Sequence, residues 1–276
     1  MRPTLGGPSL SEEIGLVSGS TGGTTLTGDA TPGNDGAWVE LAASLARPAD
    51  RSRIVLYPGG VTGQALVQIG VGASGSEQIV AAGIPLCRNG GTNAPISLQL
   101  PFRLAQSDRV AARVYRATAA SWDCEIQMLG EMGGYGSPAG WRTTDTYGID
   151  AANARGTVID PGASANTEGS VTSLGTLTRR ARQLVALPAY YGTTTWTTFV
   201  YWHWIRLYHR KASGTWRLLA GPLFTMAHQA VDNLVAQGQP VIDCDLEAGT
   251  ELGATDQCQT GTSGRRNLSL VVMAGA

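Results

Sequence analysis

Apolar and polar residues alternate along this chain in short runs, and a period of two is the signature of half-buried β-strands. Ile96-Ser97-Leu98-Gln99-Leu100 alternates cleanly before Pro101 stops it, and Trp122-Asp123-Cys124-Glu125-Ile126-Gln127-Met128 puts Trp122, Cys124, Ile126 and Met128 on one side. Val67, Ile69 and Val71 share a face in the run Ala65–Val71. Further runs at Trp38–Leu41, Arg53–Tyr57, Gln78–Ala81 and Arg109–Tyr115 are punctuated by Pro58-Gly59-Gly60, by Gly72, Ser74, Gly75 and Ser76, and by Pro85. Short strands at about 8–12-residue spacing with Gly/Pro punctuation predict a β-sandwich or jelly roll.

The pattern comes back. Gly15–Leu41 lies on Gly148–Leu174 without a gap, so that Gly15, Gly23, Thr24, Ala30, Gly36 and Leu41 fall on Gly148, Gly156, Thr157, Ala163, Gly169 and Leu174. In the same order, Arg53–Pro58 answers to Gln183–Pro188, Ala73-Ser74-Gly75 to Ala212-Ser213-Gly214, and Ile84-Pro85-Leu86 to Gly221-Pro222-Leu223. Leu104 then answers to Leu246, and Met128-Leu129-Gly130 to Met273-Ala274-Gly275. Ordered anchors of this kind mark a duplicated unit. The predicted fold class is all-β: two tandem, mutually similar β-sandwich (jelly-roll-like) domains preceded by an extended N-terminal arm. The expected boundaries are 1–36 for the arm, 37–132 for the first domain, 133–175 for a linker and second arm, and 176–276 for the second domain.

The arm has only Leu10, Ile14, Leu16, Val17 and Leu26 to bury among Gly, Ser, Thr and Pro, too little to fold alone. It either orders on a neighbouring chain, as an added strand would, or stays a loose terminus. In the second copy, Thr197–His209 is the most aromatic stretch: Phe199, Tyr201, Ile205 and Leu207 fall on one face, and Trp202, Trp204 and Tyr208 on the other. A strand apolar on both faces is expected to be covered on both sides. Ala227, Val231, Leu234 and Val235 form a stripe that predicts one short helix over Met226–Gln237. The nearly continuous apolar run Leu268–Met273 predicts a closing sheet strand.

A chain of 276 residues has room for two domains, each with its own core. With 37 Gly and 13 Pro but only 15% charged and 7% aromatic residues, turns outweigh long polar helices. The net charge of −1 provides no field for a phosphate backbone, so nucleic acid is not an expected partner. Met1–Gly7 lacks the apolar core of a secretory signal, and nowhere do roughly 18 apolar residues run together. The expectation is a soluble chain, made in a cytoplasm, with no membrane insertion.

Candidate chemistry is sparse. Cys87, Cys124, Cys244 and Cys258 occupy different positions in the two copies and form no CxxC pair, so they are expected to be small apolar residues with free thiols. The histidines are His203, His209 and His228, none in an HExxH or beside a GxSxG. His203 and His209 share a strand about 20 Å apart, too far for one metal ion, and read as polar edges of the aromatic patch. Asp243-Cys244-Asp245 and Glu247 lack the calcium-loop spacing and read as solvated strand-end carboxylates. Arg179-Arg180-Ala181-Arg182 reads as solvated or paired with a neighbour's acids, and Gly70, Gly72 and Gly75 precede no helix that could hold a dinucleotide. No catalytic residue, cofactor or metal is expected. What stands out is an aromatic group, Tyr190, Tyr191, Trp196, Trp202, Trp204, Tyr208 and Trp216, suited to core packing, to subunit contact or to stacking on a glycan.

Gly33–Leu41, Ile69–Ile79 and Leu100–Leu104 with Arg109–Arg113 resemble a β-sandwich repeat found in virion proteins of tailed bacteriophages and related gene-transfer particles. The resemblance covers the first copy, about residues 33–130, while the second keeps a skeleton such as Ala212-Ser213-Gly214 and Leu246–Thr250. It implies a non-enzymatic structural protein located in the virion, with no catalytic residues to carry over. The first expectation is a tail-associated fibre, spike or adaptor subunit that contributes to particle assembly and host-surface attachment. Its expected partners are other virion proteins, its own copies in a homo-oligomer (a trimer if a fibre or spike), and a host-surface glycan. The alternatives are a capsid decoration or head-fibre protein, whose arm would lie along a neighbour, and a carbohydrate-binding module or glycan hydrolase, with Trp202, Trp204 or Tyr208 exposed beside carboxylates.

Overall fold

The computed structural model describes residues 11–15, 23–31, 34–49, 51–58, 63–88, 96–100, 104–115, 121–129, 144–150, 155–190, 200–228, 234–235, 241–259 and 268–275. Every regular element among them is a strand. The first half holds β1 (Ser11–Ile14), β2 (Thr24–Thr27), β3 (Val39–Ala42), β4 (Arg51–Pro58), β5 (Gly63–Val71), β6 (Gln78–Arg88), β7 (Ile96–Leu100), β8 (Val110–Tyr115) and β9 (Ser121–Leu129). The second holds β10 (Thr144–Tyr147), β11 (Ile149–Asp150), β12 (Arg155–Ile159), β13 (Thr172–Thr176), β14 (Ala181–Tyr190), β15 (Val200–Arg210), β16 (Arg217–His228), β17 (Leu234–Val235), β18 (Val241–Leu246), β19 (Glu251–Cys258) and β20 (Leu268–Gly275).

Each half is two antiparallel sheets. In the first, β2-β9-β4-β7 faces β3-β8-β5-β6, with β1 also on β9. In the second, β12-β20-β14-β18 faces β13-β19-β15-β16, with β10 also on β20, β11 on β12 and β17 on β16. The chain crosses between sheets at nearly every connection, which is the winding of a jelly roll, and both halves wind identically. Even the irregularities recur. Register shifts fall at Val67/Ile69 and Ile69/Gly70 in the β5–β6 pair, and at Ile205/Leu207 and Leu207/Tyr208 in the β15–β16 pair.

The repeated glycines are there because the backbone demands them. Gly15 and Gly148 sit at φ 78° and 79°, a region that favours glycine, and donate their N–H groups to Leu41 O at 3.0 Å and Leu174 O at 2.8 Å. Thr24 Oγ1 and Thr157 Oγ1 donate back to the carbonyls of Gly15 and Gly148 at 2.9 and 3.0 Å. A Cβ on Gly36 or Gly169 would collide with the carbonyl oxygen of Thr27 or Asp160.

Three expectations need adjusting. The segment 1–36 places β1 and β2 on β9 of its own domain, Ile14 opposite Ile126 and Leu26 opposite Trp122, with Leu26 at 0% exposure. Likewise 133–175 supplies β10 and β12 to β20 and β13 to β19. These segments are too poor in apolar residues to fold alone, but a long strand offers them a complete row of backbone partners. The helix over Met226–Gln237 is replaced, in its described part, by the end of β16 paired with β17: Ala227 and Leu234 share the stripe because they are cross-strand partners. Finally, the register sets Ala73 on Lys211, Ile84 on Leu223, Ile54 on Ala186 and Met128 on Ala274, so the matches at Ala73 and Met128 slip by one residue and those at Ile84 and Arg53–Pro58 by two. The matching turn bonds, Ser76 N to Ala73 O at 2.9 Å and Gly214 N to Lys211 O at 2.8 Å, agree.

The halves share a core through β14. Leu184 and Ala186 point into the second sandwich, while Val185 and Leu187, both at 0% exposure, belong to the core of the first together with Ile54, Leu56, Ile69 and Ile84. Edge strand β6 lies across β10, β14 and β20, and Thr146 Oγ1 donates to Ala82 O at 3.1 Å. Full burial of side chains such as Val185 and Leu187 contributes about 1.5–3 kcal/mol each. We expect Leu187→Ala to cost about 2–5 kcal/mol and to lower one common unfolding transition in chemical denaturation. Two separate transitions would mean that the halves do not share a core.

Candidate functional site

β15 runs through the middle of its sheet with alternate faces that differ in kind. His203, Ile205 and Leu207 are buried inward, and Trp202, Trp204, Arg206, Tyr208 and Arg210 lie on the outer face. Tyr208 donates to Glu168 Oε1 at 2.7 Å, Thr255 Oγ1 donates to the same oxygen at 2.5 Å, and Arg206 Nη1 stands 3.4 Å from Glu168 Oε2. Partial burial pushes the Glu168 carboxyl up, but the two hydroxyls and then Arg206 outweigh it and hold the group below its ordinary value. Burial and the hydrogen bond to Glu168 push the Tyr208 hydroxyl up.

Trp216 joins this face from the loop after β15. The Arg210 guanidinium stacks on its ring at 4.2 Å and donates to Glu251 Oε2 at 2.6 Å, while Ser173 Oγ donates to Glu251 Oε1 at 2.6 Å. Trp216 lies over Gly253, where a Cβ would come within 2.9 Å of the ring. The face is therefore closed at its Tyr208–Trp216 end. At the other end Trp202 is 37% exposed and Trp204 half-buried, so it is not covered along its whole length. Tyr190 ends β14 opposite Leu268, and its side chain, together with Tyr191 and Trp196, falls outside the described residues.

The first domain builds the same face with partners exchanged. Arg113 on β8 pairs with Asp35 at 2.8 Å, donates its Nε–H to Gln68 Oε1 at 2.8 Å, and stacks on Trp38 at 4.4 Å. In the second domain the acid stays, as Glu168, but the cation stands on the adjacent strand as Arg206, whose cross-strand neighbour Thr255 holds the position of Arg113. Arg109 pairs with Glu40 at 2.7 Å and Glu77 at 2.9 Å, and its counterpart is the carboxylate Glu251, held by Arg210 and Ser173. Trp38 fills the space above Gly70 on β5, and Trp216 the space above Gly253 on β19.

A buried pair goes unnoticed in the sequence. His203 Nδ1 and Asp256 Oδ2 are 2.7 Å apart at essentially zero exposure, and His203 Nε2 and Asp256 Oδ1 have no hydrogen-bond partner among the described residues. His203 is thus not a polar edge of the aromatic patch, because its register places it inward with Ile205 and Leu207. That shared parity with two aliphatic neighbours was the available signal. Enclosed in this way, the pair reaches no external substrate.

The remaining candidates resolve within the chain. Arg179 pairs with Asp145 at 2.9 Å and Arg180 with Asp245 at 2.5 Å, so these two members of the basic cluster are neutralised without a neighbour. Asp243 accepts from Gln183 Nε2 at 2.9 Å, and Glu247 pairs with Lys211 at 3.1 Å. Cys244 and Cys258 are free thiols; burial, then Asp245 and Asp243, push Cys244 up to about 11, so it is a poor nucleophile. The side chains of Cys87, Cys124 and His228 fall outside the described residues. Among the described residues no group of three His, Cys, Asp or Glu could hold a metal ion, and no helix is long and apolar enough to cross a membrane.

Two measurements check this electrostatic picture. Arg210, then Ser173, hold Glu251 below its ordinary 4.5, so its contribution is present above that pH and is lost as the pH falls through the lower folded value. Glu251→Gln should therefore flatten the fall of stability with acid in that window, as followed by denaturation. Asp256→Ala should cost about 1–3 kcal/mol by leaving a buried donor unpaired, and adding His203→Leu should restore part of the loss.

No protein-family model matches the chain, and no curated relative does. Among solved structures, PNGF-II is similar at 10% identity and TM-score 0.40, with 96% of this chain covered; the chain spans 65% of the length of that protein. A chain of the Sulfolobus Turreted Icosahedral Virus is similar at 10% identity and TM-score 0.36, over 98% of this chain and 90% of that one. PNGase F, a glycosylasparaginase from Flavobacterium meningosepticum, is similar at 10% identity and TM-score 0.32, over 98% and 96%.

Proposed function

We propose that the chain is a non-enzymatic structural subunit of a phage virion, a tail-associated fibre, spike or adaptor that works by adhering to its own copies and to other virion proteins. The resemblance of residues 33–130 to a virion repeat supports the location, and one structural observation supports the adhesion. The junction between the two halves is head-to-tail: the edge strand of the first lies on the outer sheet face of the second. Such a contact can be repeated by the next chain.

The edge left over is built for that. By register, Ala220, Pro222 and Leu223 of β16 hold the positions of Ala81, Gly83 and Ile84 of β6. Ala81 and Ile84 have 0% exposure and Gly83 is buried, whereas Pro222 is exposed and Ala220 and Leu223 are only half-buried. Ala220-Gly221-Pro222-Leu223 thus forms an apolar edge that is closed in one copy and, among the described residues, open in the other, and Leu218 extends it at 55% exposure, as its counterpart Ile79 does at 44%. An open apolar edge is a template for another chain. The matching face of the first domain carries Arg53 and Val55 at the positions of Val185 and Leu187, so the apolar match there rests on Val55. A head-to-tail contact closes into a ring when the rotation allows it, and we take that ring to be a trimer.

The fibre or adaptor reading is preferred to a decoration protein because β1 and β2 lie on their own domain, not along a neighbour. Native mass measurement of the purified chain should give the trimer, and Leu218→Glu should reduce it to monomer with an unchanged melting temperature. A parent protein that stays monomeric at high concentration would overturn the assembly reading, and antibody labelling that finds no copies on particles would overturn the virion reading.

A further inference from the structure

We propose that the charged mouth at one end of the second domain binds a carboxylate-bearing oligosaccharide, one built from uronic-acid sugars. This goes beyond the fibre or spike reading above, to the host-surface attachment expected of such a subunit, and rests on that reading for its biological setting, though not for the binding itself. The mouth is an open cavity of about 450 Å³ where the loop from β15 to β16 meets the ends of β14 and β18. That volume is within the range of small-ligand sites.

Apart from Arg210, which packs on Trp216 and holds Glu251, its charges are not needed by the fold. At the positions of His209, Arg210, Lys211 and Arg217 the first domain has Val71, Gly72, Ala73 and Gln78, and at the position of Glu247 it has Ala105. The same jelly roll therefore closes at that end without them. Exposed ion pairs such as Lys211–Glu247, whose side chains are 82% and 72% exposed, contribute little to stability. Charges that one copy carries and the other does without at the same positions belong to that copy's surface task.

The arrangement selects the ligand chemistry. Of the cations in the lining, Arg180, Lys211 and Arg210 are answered by Asp245, Glu247 and Glu251, and Arg217 is the charge left over, which favours an anion. Arg180 is occupied by Asp245 and Lys211 by Glu247, whereas the side chains of Arg217 and His209, cross-strand partners, have no ion-pair or hydrogen-bond partner among the described residues. A guanidinium fork matches a carboxylate with two parallel hydrogen bonds. A dianionic phosphate would meet repulsion from Asp245 and Glu247, but a sugar carboxylate leaves those two acids to accept hydrogen bonds from ring hydroxyls. The recognition is by charge, away from the Trp202–Tyr208 face that sequence reasoning singled out.

Calorimetric titration of the full chain with trigalacturonate, maltotriose and inorganic phosphate tests this. Trigalacturonate should bind at least about tenfold tighter than maltotriose and lose at least about tenfold in Arg217→Glu, the scale of a lost charge-assisted contact, while melting temperature and native mass stay at the parent values. Arg217→Gln serves in the same role if the charge reversal fails to fold. Equal binding of the neutral sugar, tighter binding of phosphate, or an unchanged affinity in the Arg217 variants would overturn the proposal. A monomeric chain that binds trigalacturonate as expected would instead sink the assembly reading and leave this site standing.

Discussion

The structure depends on burial of both faces of β14. Alternation gives a strand two faces, and this one spends Leu184 and Ala186 on the second core and Val185 and Leu187 on the first. A linker joining two finished sandwiches would leave each to fold by itself. Here the outer surface of one sheet is the inner wall of another compartment, so the halves have one continuous apolar interior. The edge of β6 is covered by the same contact that closes the first core. Stability and edge protection thus come from one interface.

That interface also makes the duplicated halves unequal. One copy is capped by its sister and the other, among the described residues, is not, although their windings coincide apart from the short added strands β11 and β17. The asymmetry distributes roles: an apolar edge on β16 that is open among the described residues, and a charged mouth whose His209, Lys211 and Arg217 answer to Val71, Ala73 and Gln78 in the first domain. The outer face of β15 is a third difference in character, since its aromatic side chains are locked at one end by Glu168, Arg206 and Arg210 and open at the other.

What could be read from the sequence was what local physics dictates. Gly15 and Gly148 announce themselves because their φ near +80° is costly to other residues, and Gly36 and Gly169 because a Cβ would strike a carbonyl. The strands and the shared face of Trp202, Trp204 and Tyr208 follow from period two. Long-range choices were invisible. Nothing in Ser11–Ile14 states that its partner lies at Ile126–Leu129, and the His203–Asp256 pair joins residues 53 apart. The Ala227–Leu234 stripe fits a helix and a hairpin equally well, and pairing decides between them. Bulges at Ile69 and Leu207 displaced the apparent tripeptide matches because a two-residue turn similarity is cheaper to find than a register.

The exchanged partners on the outer faces carry a lesson about descent. Arg113 beside Gln68 in one copy has become Thr255 beside Arg206 in the other, with the acid unmoved at Asp35 and Glu168. The covering ring has likewise changed strands, together with the glycine beneath it. Each site therefore evolved as a couple, and column-by-column averaging of the two halves would pair cation with cation or put a tryptophan where no gap awaits it. Anyone rebuilding an ancestral single unit from this chain would have to inherit whole couples from one parent.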